Sequence, residues 1–206
     1  MRSFKCFIDY TKEEKWLNEM AQNGYELTNT TIGYNFNKIS PADITYRIDY
    51  RTFKTQDDFI DYCTLFEDCG WKHVAGSRTS GNQYFKRISD NSDNDIFSDN
   101  ASKAARYKRV SNIWLVMALS YFTILISFVN NGAVNMEAFT NPKALYYTPG
   151  LWDKTGLDFL TSFLFETPFA LGRGFIWLVF PICITIYLYL IFKSSKLYKE
   201  TLSEKK

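Results

Sequence analysis

An α+β chain carrying two transmembrane helices is what this sequence predicts, and three observations carry the prediction. Two long runs contain no charged residue, the first hundred residues alternate between strand and helix periodicities, and one strand-helix-strand pattern occurs twice. The averages hide this. A chain of 206 residues that is 46% hydrophobic, 22% charged and net +2 has the composition of a soluble, near-neutral protein. Only the aromatic content stands out, at 18%. A charge of +2 leaves no surplus of Lys and Arg for a phosphate backbone, so no nucleic-acid partner is expected.

The strand periodicity comes first. Phe4, Cys6, Ile8 and Tyr10 alternate with Lys5, Phe7 and Asp9, which is the pattern of a half-buried strand. Thr11 with Glu14 three residues later can form a capping box. Trp16, Leu17 and Met20 then give a helical apolar face that stops before Gly24, and Tyr25 starts a second extended segment. The pattern recurs in Ile44, Tyr46, Ile48 and Tyr50, which alternate with Thr45, Arg47, Asp49 and Arg51. Thr55 caps a helix with Asp58 in its first turn, Phe59, Tyr62, Cys63 and Phe66 form the stripe, and Gly70 closes it before Trp71. Ile-Asp-Tyr stands at 8–10 and again at 48–50, at the same point of both units. Residues 35–39 add a hairpin strand and residues 83–88 an edge strand.

Two such units predict a ferredoxin-like split β-α-β domain over residues 1–88, with both helices on one face of an antiparallel sheet. Lys5, Phe7, Asp9, Arg47, Asp49 and Arg51 would share the opposite face, an open surface for a ligand or partner. That use is an inference from fold analogy.

Residues 89–109 form a polar, then basic, tether rich in Ser, Asp and Asn. Beyond it lies the membrane region 110–192. Residues 110–129 and 174–192 each approach the roughly 20 apolar residues that a helix needs to cross about 30 Å of hydrocarbon. No domain this small surrounds two such helices, so both are expected to span, and neither has the position of a signal peptide. Lys103, Arg106, Lys108 and Arg109 precede the first span, and Lys193, Lys196, Lys199, Lys205 and Lys206 follow the second in the basic tail 193–206. The positive-inside rule then puts both termini in the cytoplasm and 130–173 outside. Within that segment, residues 157–171 read as an amphipathic helix, interfacial or re-entrant. Trp152, Phe163 and Trp177 are the expected membrane-interface residues.

Little enzyme chemistry is supported. Cys63 and Cys69 are six residues apart, about 600° around a helix, and His73 is the only histidine, so no metal site is expected. Phosphate-loop and nucleophile motifs are missing, and the residues require no cofactor. Neither span carries a charge to mark an ion route. The function expected is a non-enzymatic membrane-anchored regulatory or sensor protein, coupling envelope or lipid state to partner or ligand binding. The alternative is an accessory subunit of a membrane transporter or export complex. Expected partners are the lipid bilayer and another membrane or regulatory protein; a homo-oligomer is compatible with both readings.

The run EEKWLNEMAQNGYEL, then YRIDYR, a helix ending in CGW, then QYFKRI and two apolar spans, resembles the bacterial domain-of-unknown-function family two-eight-one-two. The resemblance covers most of residues 1–88 and SFLFE-x-PF at 162–169. It implies a small protein of the bacterial cell membrane, often encoded beside PadR-like regulators, and assigns no activity or catalytic residue.

Overall fold

The computed structural model describes residues 1–89 and 93–204. Asp90, Asn91 and Ser92 of the expected tether, and Lys205 and Lys206 of the expected tail, lie outside the described residues. The described chain divides into two units, Met1–Asn112 with Phe192–Lys206, and Ile113–Ile191.

The first unit is mixed α+β. Its elements are β1 (Arg2–Ser3), α1 (Tyr10–Gln22), β2 (Tyr25–Asn29), β3 (Tyr34–Lys38), β4 (Tyr46–Tyr50), α2 (Gln56–Asp68), β5 (Trp71–Ala75) and β6 (Asn82–Arg87). To these the unit adds the first turns of α3 (Asn100–Asn130) and the last of α4 (Gly156–Ser203). The repeat is present in three dimensions. The strand order is β1-β3-β2 in one antiparallel sheet and β4-β6-β5 in the other, so first-third-second in both halves. In each half the strands flanking the helix are parallel and the third lies between them, a split β-α-β. The sequence expects one sheet, with residues 83–88 at its edge; the structure has two sheets, with β6 central in the second. Each helix also ends alike, in a glycine at positive φ, Gly24 at 84° and Gly70 at 81°, where a side chain would be strained.

Two local expectations change. The strand expected from Phe4 to Tyr10 is only Arg2–Ser3, because Asp9 takes the cap of α1 and its carboxylate accepts the Thr11 amide at 3.0 Å. Glu14 does not complete a box with Thr11, since it points into the core. At α2 Thr55 caps as expected and in addition forms a box with Asp58, whose N–H donates to Thr55 Oγ1 at 3.1 Å.

Two cores result. The larger joins Tyr10, Leu17 and Ala21 of α1 to Leu27, Tyr34, Phe36, Tyr46, Ile48 and Tyr84, and Leu197 and Tyr198 of α4 pack against it. The smaller sets Tyr62 of α2 against Trp71 and Phe85. The second sheet is therefore covered on both faces. This is why Gln83, Tyr84 and Phe85 are all buried and β6 shows no alternation.

His73 of β5 lies edge-on to Phe59 and Phe85, with Nε2 3.0 Å from Gln83 Oε1. Gln83 Nε2 donates to the Arg51 and Ser77 carbonyls, so its oxygen faces the histidine and Nε2 of the neutral ring donates. Burial lowers the His73 pKa. A folded-state pKa below the unfolded value gives stability that is present above about pH 6.5 and lost on acidification. Glu13, whose carboxyl is pushed up by burial, gives the opposite slope, lost as pH rises from about 4.3. Denaturant midpoints between pH 7.5 and 5 should thus lose their acid-side fall in His73→Gln, whatever that variant does to absolute stability. An unchanged slope would assign it elsewhere.

The second unit holds the apolar parts of α3 and α4, joined through short helical turns at Met136–Phe139, Pro142–Leu145 and Leu151–Asp153. Both helices are long and apolar enough to cross a membrane, and apolar side chains such as Leu119 and Leu188 are 56% exposed. Trp114 stacks on Tyr187, and Phe128 meets Phe180 edge-on. The sequence expects a separate helix at 157–171 and a turn at 172–174, but α4 runs unbroken through both and through Pro168 and Pro181. At about 1.5 Å per residue it is about 72 Å long, more than twice a hydrocarbon core of about 30 Å. Arg173 fastens this stretch, donating to Glu166 Oε1 at 2.8 Å and to the Leu145 carbonyl. Glu166 also accepts the Tyr147 and Thr148 amides.

Candidate functional site

The outward edge of β4 is where the first unit concentrates its buried charge. β4 pairs with β6 on one side only, so Tyr46, Ile48 and Tyr50 direct their main-chain groups away from the sheet. A free edge of this kind normally pairs with another strand or is blunted by charge. Here every one of those groups is taken by a side chain. Asn18 Oδ1 accepts the Tyr46 amide at 2.7 Å, and Arg47 donates to the Tyr46 carbonyl at 2.9 Å. Glu14 Oε1 accepts the Ile48 amide at 3.1 Å, and Arg106 donates to the Ile48 carbonyl at 2.7 Å. Asp49 accepts the Tyr50 amide at 2.8 Å, and Arg109 donates to the Tyr50 carbonyl.

Two helices supply the cover. On α1, positions 10, 13, 14, 17 and 21 form one stripe at helical spacing, which buries Glu13 and Glu14 beside Tyr10, Leu17 and Ala21. On α3, Arg106 and Arg109 are one turn apart and reach successive outward carbonyls of β4. Each also pairs with a carboxylate, Arg106 with Glu14 at 2.5 Å and Arg109 with Asp49. One acid belongs to the first repeat and the other to the second, so α3 ties the two halves together.

Arg106 is fully buried. Its guanidinium carbon lies 5.0 Å from the Tyr10 ring centre and 5.3 Å from those of Phe97 and Tyr107. Its Nε and Nη2 have no hydrogen-bond partner among the described residues, and the ring faces around them supply the compensating negative potential. Burial is the largest influence and works against the charge, but the Glu14 carboxylate together with Tyr107 and Tyr10 outweighs it, so the pKa of Arg106 moves up. Glu13 beside it accepts hydroxyl hydrogens from Tyr34 at 2.6 Å and Tyr84 at 2.8 Å. Burial first, then the neighbouring Glu13 carboxylate, pushes the Tyr84 pKa up.

A cleft of about 480 Å³ adjoins this cover, lined by Asp49, Arg51, Tyr62, Trp71, Phe97 and Arg109 among others.

The sequence-predicted surface is only partly assembled. Arg47 and Asp49 lie on one face of β4, with Arg51 just beyond the strand's end, yet that face is not open. Asp49 is 4% exposed, accepts the Tyr62 hydroxyl at 2.9 Å and lies under α2. Arg51 lies over the Tyr62 ring, and Arg47 reaches the Asn94 carbonyl at 2.9 Å. Lys5, Phe7 and Asp9 are not strand residues beside it, because β1 ends at Ser3. Lys5 stands 4.6 Å over Trp16, Phe7 packs on Trp16 and Tyr34, and Asp9 accepts from Tyr107 Oη at 3.3 Å. The expected tether is corrected in the same way. Within its described part, α3 begins at Asn100, Arg106 and Arg109 are bound inside the unit, and Lys103 pairs with Asp95 at 3.0 Å.

In the second unit Trp152 is 40% exposed, and Phe163 stacks on Tyr146. Trp177 is buried, at 6% exposure, with Val134 and Ala138, and so does not present its ring outward.

Glu14, Arg106 and Arg109 are the residues that sequence reasoning missed as a site. The signal was present in two carboxylates on the apolar face of α1, which require buried cations from elsewhere in the chain.

A family model described as a protein of unknown function, DUF2812, matches residues 9–119, more than half of the chain. The chain belongs to the DUF2812 family. All the residues named at the β4 edge fall inside the matched DUF2812 region, which runs from the cap of α1 into the apolar part of α3. No curated protein and no solved structure matches the chain.

Proposed function

We propose that this DUF2812 chain is a non-enzymatic, membrane-anchored regulatory protein. Its α+β module and both termini lie on the cytoplasmic side of a bacterial cell membrane, and α3 and α4 cross it twice. Each repeat is read as a ferredoxin-like split β-α-β element serving as a binding platform. The observation that carries the reading is the hold of Arg106 and Arg109, just before the apolar part of α3, on Glu14, Asp49 and the β4 edge. A helix continuous with an apolar span is thereby fixed to the module by charged groups, so a shift of that helix changes the module's own surface. The exposed apolar side chains of α3 and α4 support the anchoring.

The anchoring is tested by alkaline carbonate extraction and by labelling of Lys143 and Lys154 in intact cells. The chain should stay with the membrane and both lysines should react from outside. Extraction into the soluble fraction would reject the anchor. The regulatory part is tested by cross-linking in cells, where Arg109→Gln should change the set of proteins captured by the module. An identical set would remove the coupling.

A further inference from the structure

The cover on β4 is of unequal permanence. Asn18 and Glu14 belong to α1, which gives the larger core Tyr10, Leu17 and Ala21, whereas α3 gives it Tyr107; Arg47 and Asp49 belong to β4 itself. Only the Ile48 and Tyr50 carbonyls depend on α3. If residues 100–112 withdrew, those two acceptors would face outward, two residues apart on an extended strand, which is the spacing at which the main-chain amides of an added strand donate.

Withdrawal would also strip the Arg106 and Arg109 guanidiniums from Glu14 and Asp49, both of which are almost fully buried. A buried carboxylate without a counter-charge is strongly unfavourable. Whatever replaced α3 would have to supply main-chain donors and cations together. Asp9 and Asp95 add to the negative charge beside the same segment, through their contacts with Tyr107 and Lys103.

We propose that residues 100–112 are a removable cover over a strand-docking edge, and that the occupant they exclude is an extended basic segment of another protein, added beside β4. This rests on the regulatory reading above and gives the partner its chemistry: alternating Arg or Lys, extended backbone, no proline at the paired positions.

The test uses the full chain in detergent micelles and three ten-residue peptides: an alternating Arg-Val peptide, an alternating Glu-Val peptide, and the Arg-Val peptide N-methylated at alternate residues so that it cannot pair. Arg109, with its side chain 32% exposed, is the softer point of the cover. Arg109→Gln should bind the Arg-Val peptide at least tenfold more tightly than the unaltered chain, and should bind neither of the other two. Equal affinity for the unaltered chain and the variant would overturn the cover. Equal binding of the N-methylated peptide would overturn strand pairing in favour of mere charge attraction.

Thiol labelling keeps the proposal falsifiable if the variant folds poorly. The thiol of Ala104→Cys in α3 should be modified at least tenfold faster than that of Ala21→Cys in α1, a position equally buried, through opening of the cover alone; equal rates would sink the idea. Membrane retention is measured on the same preparations, so a failure of peptide binding with retention intact counts against the edge and not against the anchor.

Discussion

Arg106→Ala is expected to destabilise the first unit by about 3–5 kcal/mol, the usual consequence of breaking a buried ion pair from one side. Three losses coincide. Glu14 keeps its charge in a buried position, the Ile48 carbonyl loses its donor, and the space among Tyr10, Phe97 and Tyr107 empties. Denaturant titration in detergent, followed by tryptophan fluorescence, measures the effect. The informative comparison is Arg106→Met combined with Glu14→Gln. That pair removes both charges, keeps an acceptor for the Ile48 amide and refills the cage with an apolar side chain, so it should recover more than half of the loss. A double variant as unstable as the single one would show that the charge on Glu14 is not what makes the single change costly.

Trp71→Ala is the second large effect, expected at about 3–5 kcal/mol from lost burial and the cavity left behind. Trp71 is 1% exposed and, among the described residues, is one of three buried members of the smaller core, with Tyr62 and Phe85. The two buried rings that remain cannot close over an indole-sized hole. Because the larger core does not contain Trp71, the loss should be local. Amide exchange should show α2 and β5 losing protection first, while β2 and β3 keep theirs. Uniform loss across both sheets would mean that the two halves unfold as a single cooperative body.

Most elements of the two repeats were readable from the sequence because each repeat carries its own local signals, the first strand excepted. Thr55 with Asp58, and the glycines at 24 and 70, mark helix ends through interactions within a few residues, and those held. The order of strands was not readable in this way. β3 and β6 take central places because the parallel strands around each helix leave a gap that a hairpin partner fills, a relation between segments of which the local pattern holds no record. The charged face of β4 misled for a related reason. Arg47, Asp49 and Arg51 look like a solvated row, but the groups that bury Asp49 come from 13 and 60 positions away, at Tyr62 and Arg109. The basic flank at 106–109 was equally two-valued. As sequence it is a topology signal, and as structure two of its members are the cations that the acids of α1 and β4 require.

The packing of Leu197 and Tyr198 against the larger core has a consequence for how this chain is made. The α+β sequence leaves the ribosome first, yet its core lacks two side chains until everything between Asn112 and Leu197 has followed. At roughly 5–20 residues per second, that interval is on the order of ten seconds. During it the nascent module is an incomplete body with an open seam while the apolar helices are still emerging. The module that is made first is therefore completed last, and the last turns of α4 act as the closing piece of a domain begun nearly two hundred residues earlier.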